Sequence, residues 1–275
     1  MAPLGTTERG GATKIAGISY LNARPFFYPL FRKKVPHNFT IELMTPAEAN
    51  KALWEGTADA GLISTAAFFR MQRRASRGQG EGAVRISGLE IAAAGRVGSI
   101  RLFCTDSLEK LERIYVTSET ATSFSMLKIL LRRLRLRPTF VWSSDPLGKL
   151  SASEDRGEGA LLIGDAALRK RKGFAHIYDL GELWWQEFRL PMVYAVMAVR
   201  EAVEEKKGIL AKTFQQCLKW SRRHSSELLD EVSSDEWLIP AQEYLDIFER
   251  SRKDLKLEEG LEVFRREWET AEDTE

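Results

Sequence analysis

Apolar residues fall in short blocks through the first two thirds of the chain and in helical stripes over the last third. Ile15-Ala16-Gly17-Ile18 reads as a buried strand running into Ser19-Tyr20-Leu21-Asn22. A helix should follow, since Pro25 suits a first helical position and Phe26, Phe27 and Leu30 share one face. Residues 39–44 alternate like a second strand. Thr45-Pro46-Ala47-Glu48 then combines an N-cap, a proline at N1 and an acid at N3, and Gly56 supplies a stop, which predicts a capped helix over 46–55. Ala60-Gly61-Leu62-Ile63 follows as a strand, and this strand, helix, strand order favours a parallel α/β sheet.

Past a glycine-rich loop at 76–82, apolar strands recur near 86–92, 99–104, 114–117, 139–142, 160–163 and 192–199. An amphipathic helix at about 122–136 separates two of them, with Phe124, Leu127, Leu130, Leu131 and Leu134 as its expected buried stripe. After Val199 the pattern is helical, near 201–222, 225–232, 240–252 and 258–270. No repeat of 20–50 residues is visible, which removes solenoids and propellers. An α/β block, a second α/β block and a helical end suit two lobes with a ligand cleft between them, without fixing where the chain crosses over.

Composition narrows the class. A chain of 275 residues with 44% apolar and 29% charged positions is long enough for one large or two modest globular domains. Its 41 Lys and Arg against 39 Asp and Glu leave a net charge of +2, no field for steering nucleic acid. The longest apolar run, Met192 to Val199, has eight residues, well short of the roughly 20 that span a bilayer. Met1 to Thr13 carry no apolar signal core, so residues 1–13 are expected to be a disordered tail and the protein cytoplasmic. Cys104 and Cys217 stand alone, and His37, His176 and His224 are scattered, so neither a disulfide framework nor a metal is expected. Gly95-Arg96-Val97-Gly98 fits neither the phosphate-loop nor the dinucleotide spacing. No cofactor, nucleic acid or membrane partner is expected, only a small-molecule substrate.

Candidate chemistry lies in small hydroxyl and amide residues at predicted strand ends: Ser19, Asn22, Ser64, Ser99, Thr120, Thr122 and Ser123. Ligands of α/β sheets settle at the carboxyl ends of strands and at helix N-termini, where free N–H groups attract anions, so the pattern suits a carboxylate. Helix capping alone would also select these residue types. Arg24, Arg96 and Arg101 could pair with a carboxylate or sit in solvent. Asp165, after Leu161-Leu162-Ile163-Gly164, is either an N-cap or a residue at the cleft rim. The run Arg132-Arg133-Leu134-Arg135-Leu136-Arg137 closes a helix, where cations complement the dipole, and lacks the interleaved aromatics of a nucleic-acid site.

At Ser19-Tyr20-Leu21-Asn22-Ala23-Arg24-Pro25 the chain resembles the chorismate dehydratase family of the futalosine route to menaquinone. The likeness continues through Gly95 to Phe103, Ala121-Thr122-Ser123 with Leu127 to Leu131, and Leu162-Ile163-Gly164-Asp165-Ala166-Ala167-Leu168. It extends to Tyr178-Asp179-Leu180-Gly181 with Trp184, Leu190 to Val196, and Glu259 to Phe264, spanning about residues 14–268. The resemblance implies an α/β, two-lobed, type II periplasmic-binding-protein-like fold. Lobe 1 would take 14–102 plus 193–270, lobe 2 would take 103–192, and 271–275 would be an acidic tail, with crossovers near Leu102 and Pro191.

It further implies a lyase that removes water from chorismate to give enolpyruvyl benzoate. Asn22 and Ser99 match positions beside the reacting ring, and Thr122 and Ser123 match those holding a carboxylate; Ser19, Ser64 and Asp165 are carried as further substrate-binding candidates. The chain departs from the family where Arg usually precedes the Thr-Ser pair (Ala121), where an Asp is usual (Thr117), and where Thr-Gly usually precedes Leu-Pro (Phe188-Arg189). Arg189 either points into the cleft and replaces the missing cation or lies outside on a connecting loop. The rival readings are the dihydroxynaphthoate synthase of the same pathway and a non-catalytic binding protein for an aromatic carboxylate.

Overall fold

The computed structural model describes residues 12–119, 121–169, 173–230, 232, 236–251 and 256–272. The chain opens with β1 (Lys14–Ile18), α1 (Arg24–Phe31), β2 (Thr40–Met44), α2 (Pro46–Glu55), β3 (Ala60–Ser64), α3 (Thr65–Ser76) and β4 (Ala83–Ala93). It continues with β5 (Ile100–Cys104), β6 (Arg113–Val116), α4 (Ala121–Arg133), β7 (Thr139–Trp142), α5 (Pro146–Ala152), β8 (Glu158–Ile163), α6 (Gly164–Leu168), β9 (His176–Asp179) and α7 (Leu180–Phe188). It closes with β10 (Met192–Arg200), α8 (Lys207–Arg223), α9 (Ser225–Leu229), α10 (Ala241–Ser251) and α11 (Leu257–Glu272).

Two five-stranded mixed sheets result, ordered β2-β1-β3-β10-β4 and β7-β6-β8-β5-β9. In the first, β1 runs parallel to β2 and β3 while β10 returns antiparallel between β3 and β4. In the second, β6 runs parallel to β7 and β8 while β5 lies antiparallel between β8 and β9. Each sheet thus receives one strand that has crossed from the other. β10 is buried on both faces, which explains its unbroken apolar run.

The helix over 46–55 forms for the reason its sequence gives. Thr45 Oγ1 accepts from Glu48 N at 3.3 Å, Glu48 Oε2 accepts from Thr45 N at 2.8 Å, and the helix stops at Gly56. Phe26 and Phe27 of α1 pack on Phe214 of α8, and Phe264 and Trp268 of α11 pack on Phe69 of α3. Trp184 of α7 meets Phe264 edge-on, so α11 ties elements of both sheets into one core. Among the described residues no helix is long and apolar enough to cross a membrane.

Several sequence boundaries are corrected. β5 pairs along its whole length with β8 and β9, so the outgoing crossover is at residues 94–99, not near Leu102; an apolar run does not declare which sheet it joins. The chain is back in the first sheet at Met192. Residues 1–11 of the expected tail lie outside the described residues, but Thr13 is buried and its carbonyl accepts from Thr40 N. Of the expected acidic tail, Ala271 and Glu272 are helical, and 273–275 lie outside the described residues. Leu134 is 49% exposed because α4 has ended at Arg133.

Candidate active site

The carboxyl ends of four parallel strands, β1 and β3 from one sheet and β6 and β8 from the other, open on one cleft. Ile18, Tyr20 and Asn22 come from the end of β1 and the turn after it, Ser64 from β3, Glu119 from the β6–α4 connection, Thr122 and Ser123 from the first turn of α4, and Ile163 and Gly164 from the β8–α6 junction. The crossover adds Ser99, the start of β5 adds Ile100, the return strand adds Tyr194 and Ala195, and α10 adds Phe248. The cleft is open at its mouth and encloses a cavity of about 80 Å³.

Three hydrogen bonds join the two walls. Tyr20 Oη donates to Glu119 Oε2 at 2.8 Å, Leu21 N donates to Asp165 Oδ1 at 3.3 Å, and Ala66 N donates to Thr122 Oγ1 at 3.1 Å. Gly164 permits the first: its φ is +60°, and a Cβ there would stand 2.7 Å from the Tyr20 ring. Burial, then Glu119, pushes the Tyr20 phenol well above its usual pKa, so it stays a proton donor.

Ser64 is both an N-cap and a cleft residue. Its Oγ accepts from Ala67 N at 3.2 Å at the start of α3, whose N-terminus faces that of α4. The first turn of α3 on one wall is thus set against that of α4 on the other, with the Ala66 and Ala67 N–H groups taken by Thr122 Oγ1 and Ser64 Oγ; the positive ends of both helix dipoles face the cleft. Lysine and arginine are absent from the described lining, and Glu119 is its one carboxylate.

Ser99 is held from behind. Asp179, buried at the start of α7, accepts from Gly98 N at 2.6 Å, from Val97 N at 3.2 Å and from Glu182 N at 3.1 Å. Burial raises its pKa, although these N–H groups pull the other way. Gly98, at φ +74°, leaves room for Ile239, which a Cβ would meet at 2.7 Å.

The structure brings Asn22, Ser64, Ser99, Thr122 and Ser123 together and leaves three candidates out. Ser19 is exposed, with its hydroxyl against Met44 O, because alternation past β1 sends Ile18 and Tyr20 inward and Ser19 away. Asp165 faces the neighbouring groove beside Ser19 and Arg24, and serves as the acceptor for Leu21 N. Arg189 is exposed at the C-terminal end of α7 with φ +54°, so it does not replace a cation in the cleft. Arg24 donates to Leu228 O and Asp230 O, and Arg101 to Ala167 O and Arg169 O. Arg96 is exposed. Thr120 lies outside the described residues.

Sequence reasoning missed Tyr194 and Tyr244. Both are buried, and neither hydroxyl has a hydrogen-bond partner among the described residues. Tyr194 interrupts the apolar β10 run, a signal that was readable; Tyr244 gave none, since only the return of α10 brings it here.

A two-lobed α/β fold, with a cleft lined by apolar side chains and a few hydroxyls and without lysine or arginine among the described residues, is the class these features define. A protein of Archaeoglobus fulgidus covers 97% of this chain and all of its own at 12% identity and a TM-score of 0.72. A Candida albicans protein with the generic periplasmic-binding-protein fold covers 96% of this chain and 90% of its own at 14% identity and a TM-score of 0.60. The fold is thus periplasmic-binding-protein-like. The family model for menaquinone biosynthesis matches residues 13–268, and the chain belongs to that family. A relative, the chorismate dehydratase of Thermus thermophilus, is 31% identical over 215 residues, 72% of this chain and 73% of its own.

Proposed function

We propose that this protein is a chorismate dehydratase, a carbon–oxygen lyase that converts chorismate to enolpyruvyl benzoate and water. The observation that carries the reading is the relationship to the Thermus enzyme over nearly three quarters of both chains. The cleft chemistry supports it.

The reaction asks little of protein acids and bases. The ring proton to be lost sits on a carbon conjugated through the diene to the ring carboxylate, and loss of the neighbouring hydroxyl makes the ring aromatic. Proton and hydroxide leave in sum as water. A cleft of hydroxyls, one amide and two helix N-termini then acts by orienting the dianion and stabilising charge as it moves. Thr122, Ser123 and the first turn of α4 hold a carboxylate; Ser99 donates to the departing hydroxyl; Asn22 hydrogen-bonds the ring substituents. The interwall contacts at Tyr20 and Leu21 exclude water once the substrate is enclosed.

The test is incubation of the purified chain with chorismate and chromatographic detection of enolpyruvyl benzoate. Binding without product would identify a ligand-binding protein instead, and turnover of a cyclic futalosine derivative in its place would identify the sister synthase.

A further inference from the structure

Tyr244 sits in α10, which packs against the turn at Leu21–Ala23 that carries Asn22. The helix is fixed to the crossover at both ends: Ile239, just before it, fills the space over Gly98, and Ser251 Oγ, its last residue, accepts from Ala94 N at 3.2 Å. Between these anchors the Tyr244 ring is 0% exposed and packs edge-on against Phe248, a cleft residue, at 5.0 Å. Its hydroxyl has no hydrogen-bond partner among the described residues. Ser99 and Asn22 stand within looser reach of it than a well-formed hydrogen bond, and their polar groups, turned toward the phenol oxygen, oppose the upward shift that burial gives it.

A buried hydroxyl without a partner costs stability. Here it lies directly behind the two cleft residues assigned to the substrate ring. We propose that Tyr244 is a positioning residue for the dehydration, donating its O–H to Ser99 Oγ once substrate is bound so that the Ser99 hydroxyl is aimed at the departing oxygen of the substrate. The inference rests on the dehydratase reading. A donor behind a donor polarises it, so Ser99 becomes the stronger hydrogen-bond donor as negative charge develops on the leaving oxygen. Because burial keeps the Tyr244 phenol protonated far above neutrality, the relay stays in its donating form throughout the working range.

The test is Tyr244→Phe in the full chain, which removes the hydroxyl and keeps the ring. Steady-state turnover of chorismate should fall about tenfold in kcat, the effect of one hydrogen bond, with KM little changed and the loss equal at pH 6 and pH 9. The melting temperature without substrate should be unchanged or higher, since no native bond is lost. In a Ser99→Ala background the same change should cost nothing further, because the two groups act in series. Wild-type kcat in Tyr244→Phe with product still formed would overturn the proposal and leave the dehydratase reading standing, as would an undiminished further loss in the Ser99→Ala background or a lowered melting temperature that accounts for the activity loss. If the wild-type protein leaves chorismate unchanged, the reading itself falls and the proposal with it.

Discussion

Ala66 N donates to Thr122 Oγ1 at 3.1 Å, so the first turn of α3 on one wall of the cleft is bonded to the first turn of α4 on the other. Both residues are buried, and the hydroxyl proton of Thr122 remains free to turn to a ligand. Two positive helix ends brought this close favour negative charge between them, and in the proposed function that charge is a substrate carboxylate.

Replacing Thr122 and Ser123 together by Ala should weaken chorismate binding by about 1.5–3 kcal/mol, the size of hydrogen bonds to a charged group. Titration calorimetry checks this. An unchanged affinity would put the carboxylate elsewhere.

Arg189 takes a left-handed backbone at φ +54° at the C-terminal end of α7. A side chain there strains the backbone, so Arg189→Gly should stabilise the protein by about 1 kcal/mol and leave turnover alone. Urea unfolding and a turnover assay measure the two arms; a loss of activity would mean that the guanidinium reaches substrate after all.

Asp165 carries a raised pKa because burial outweighs its bond from Leu21 N. A carboxyl held above its unfolded value destabilises the native state progressively as pH rises from the ordinary aspartate range near 4. Asp165→Asn keeps an acceptor for Leu21 N and removes the charge. Its stability relative to wild type should therefore grow between pH 4 and pH 7, and thermal melts that run parallel across that interval would contradict the assignment.

Asp179 collects three backbone N–H groups, two of them from the residues before Ser99. Asp179→Ala strands Val97 N and Gly98 N in the interior and should cost about 2–4 kcal/mol, together with a fall in turnover as Ser99 loses its support. Chemical unfolding and kinetics on the same preparation check both effects.

What could be read from the sequence was whatever local rules decide. Thr45 with Glu48 declared a helix start, and small hydroxyl and amide residues after strands marked Asn22, Ser64, Ser99, Thr122 and Ser123 as residues that meet at a cleft. Ser19 misled because adjacent residues on an extended chain face opposite ways. Arg189 misled because its side-chain chemistry drew attention from the helix end, where backbone conformation decides. Tyr244 was invisible, since its place depends on α10 folding back across the crossover, a contact between residues more than a hundred positions apart in sequence.

Dehydration of chorismate in this cleft through Asn22 and its neighbours is tested by product formation in wild type and Asn22→Ala side by side. Wild type should release enolpyruvyl benzoate in step with chorismate consumed, and Asn22→Ala, with an unchanged circular dichroism spectrum, should do so about a hundredfold more slowly, the effect of losing one preorganised polar contact at the reacting centre. Wild-type protein that binds chorismate and returns it intact, or an Asn22→Ala variant as fast as wild type, would contradict the account.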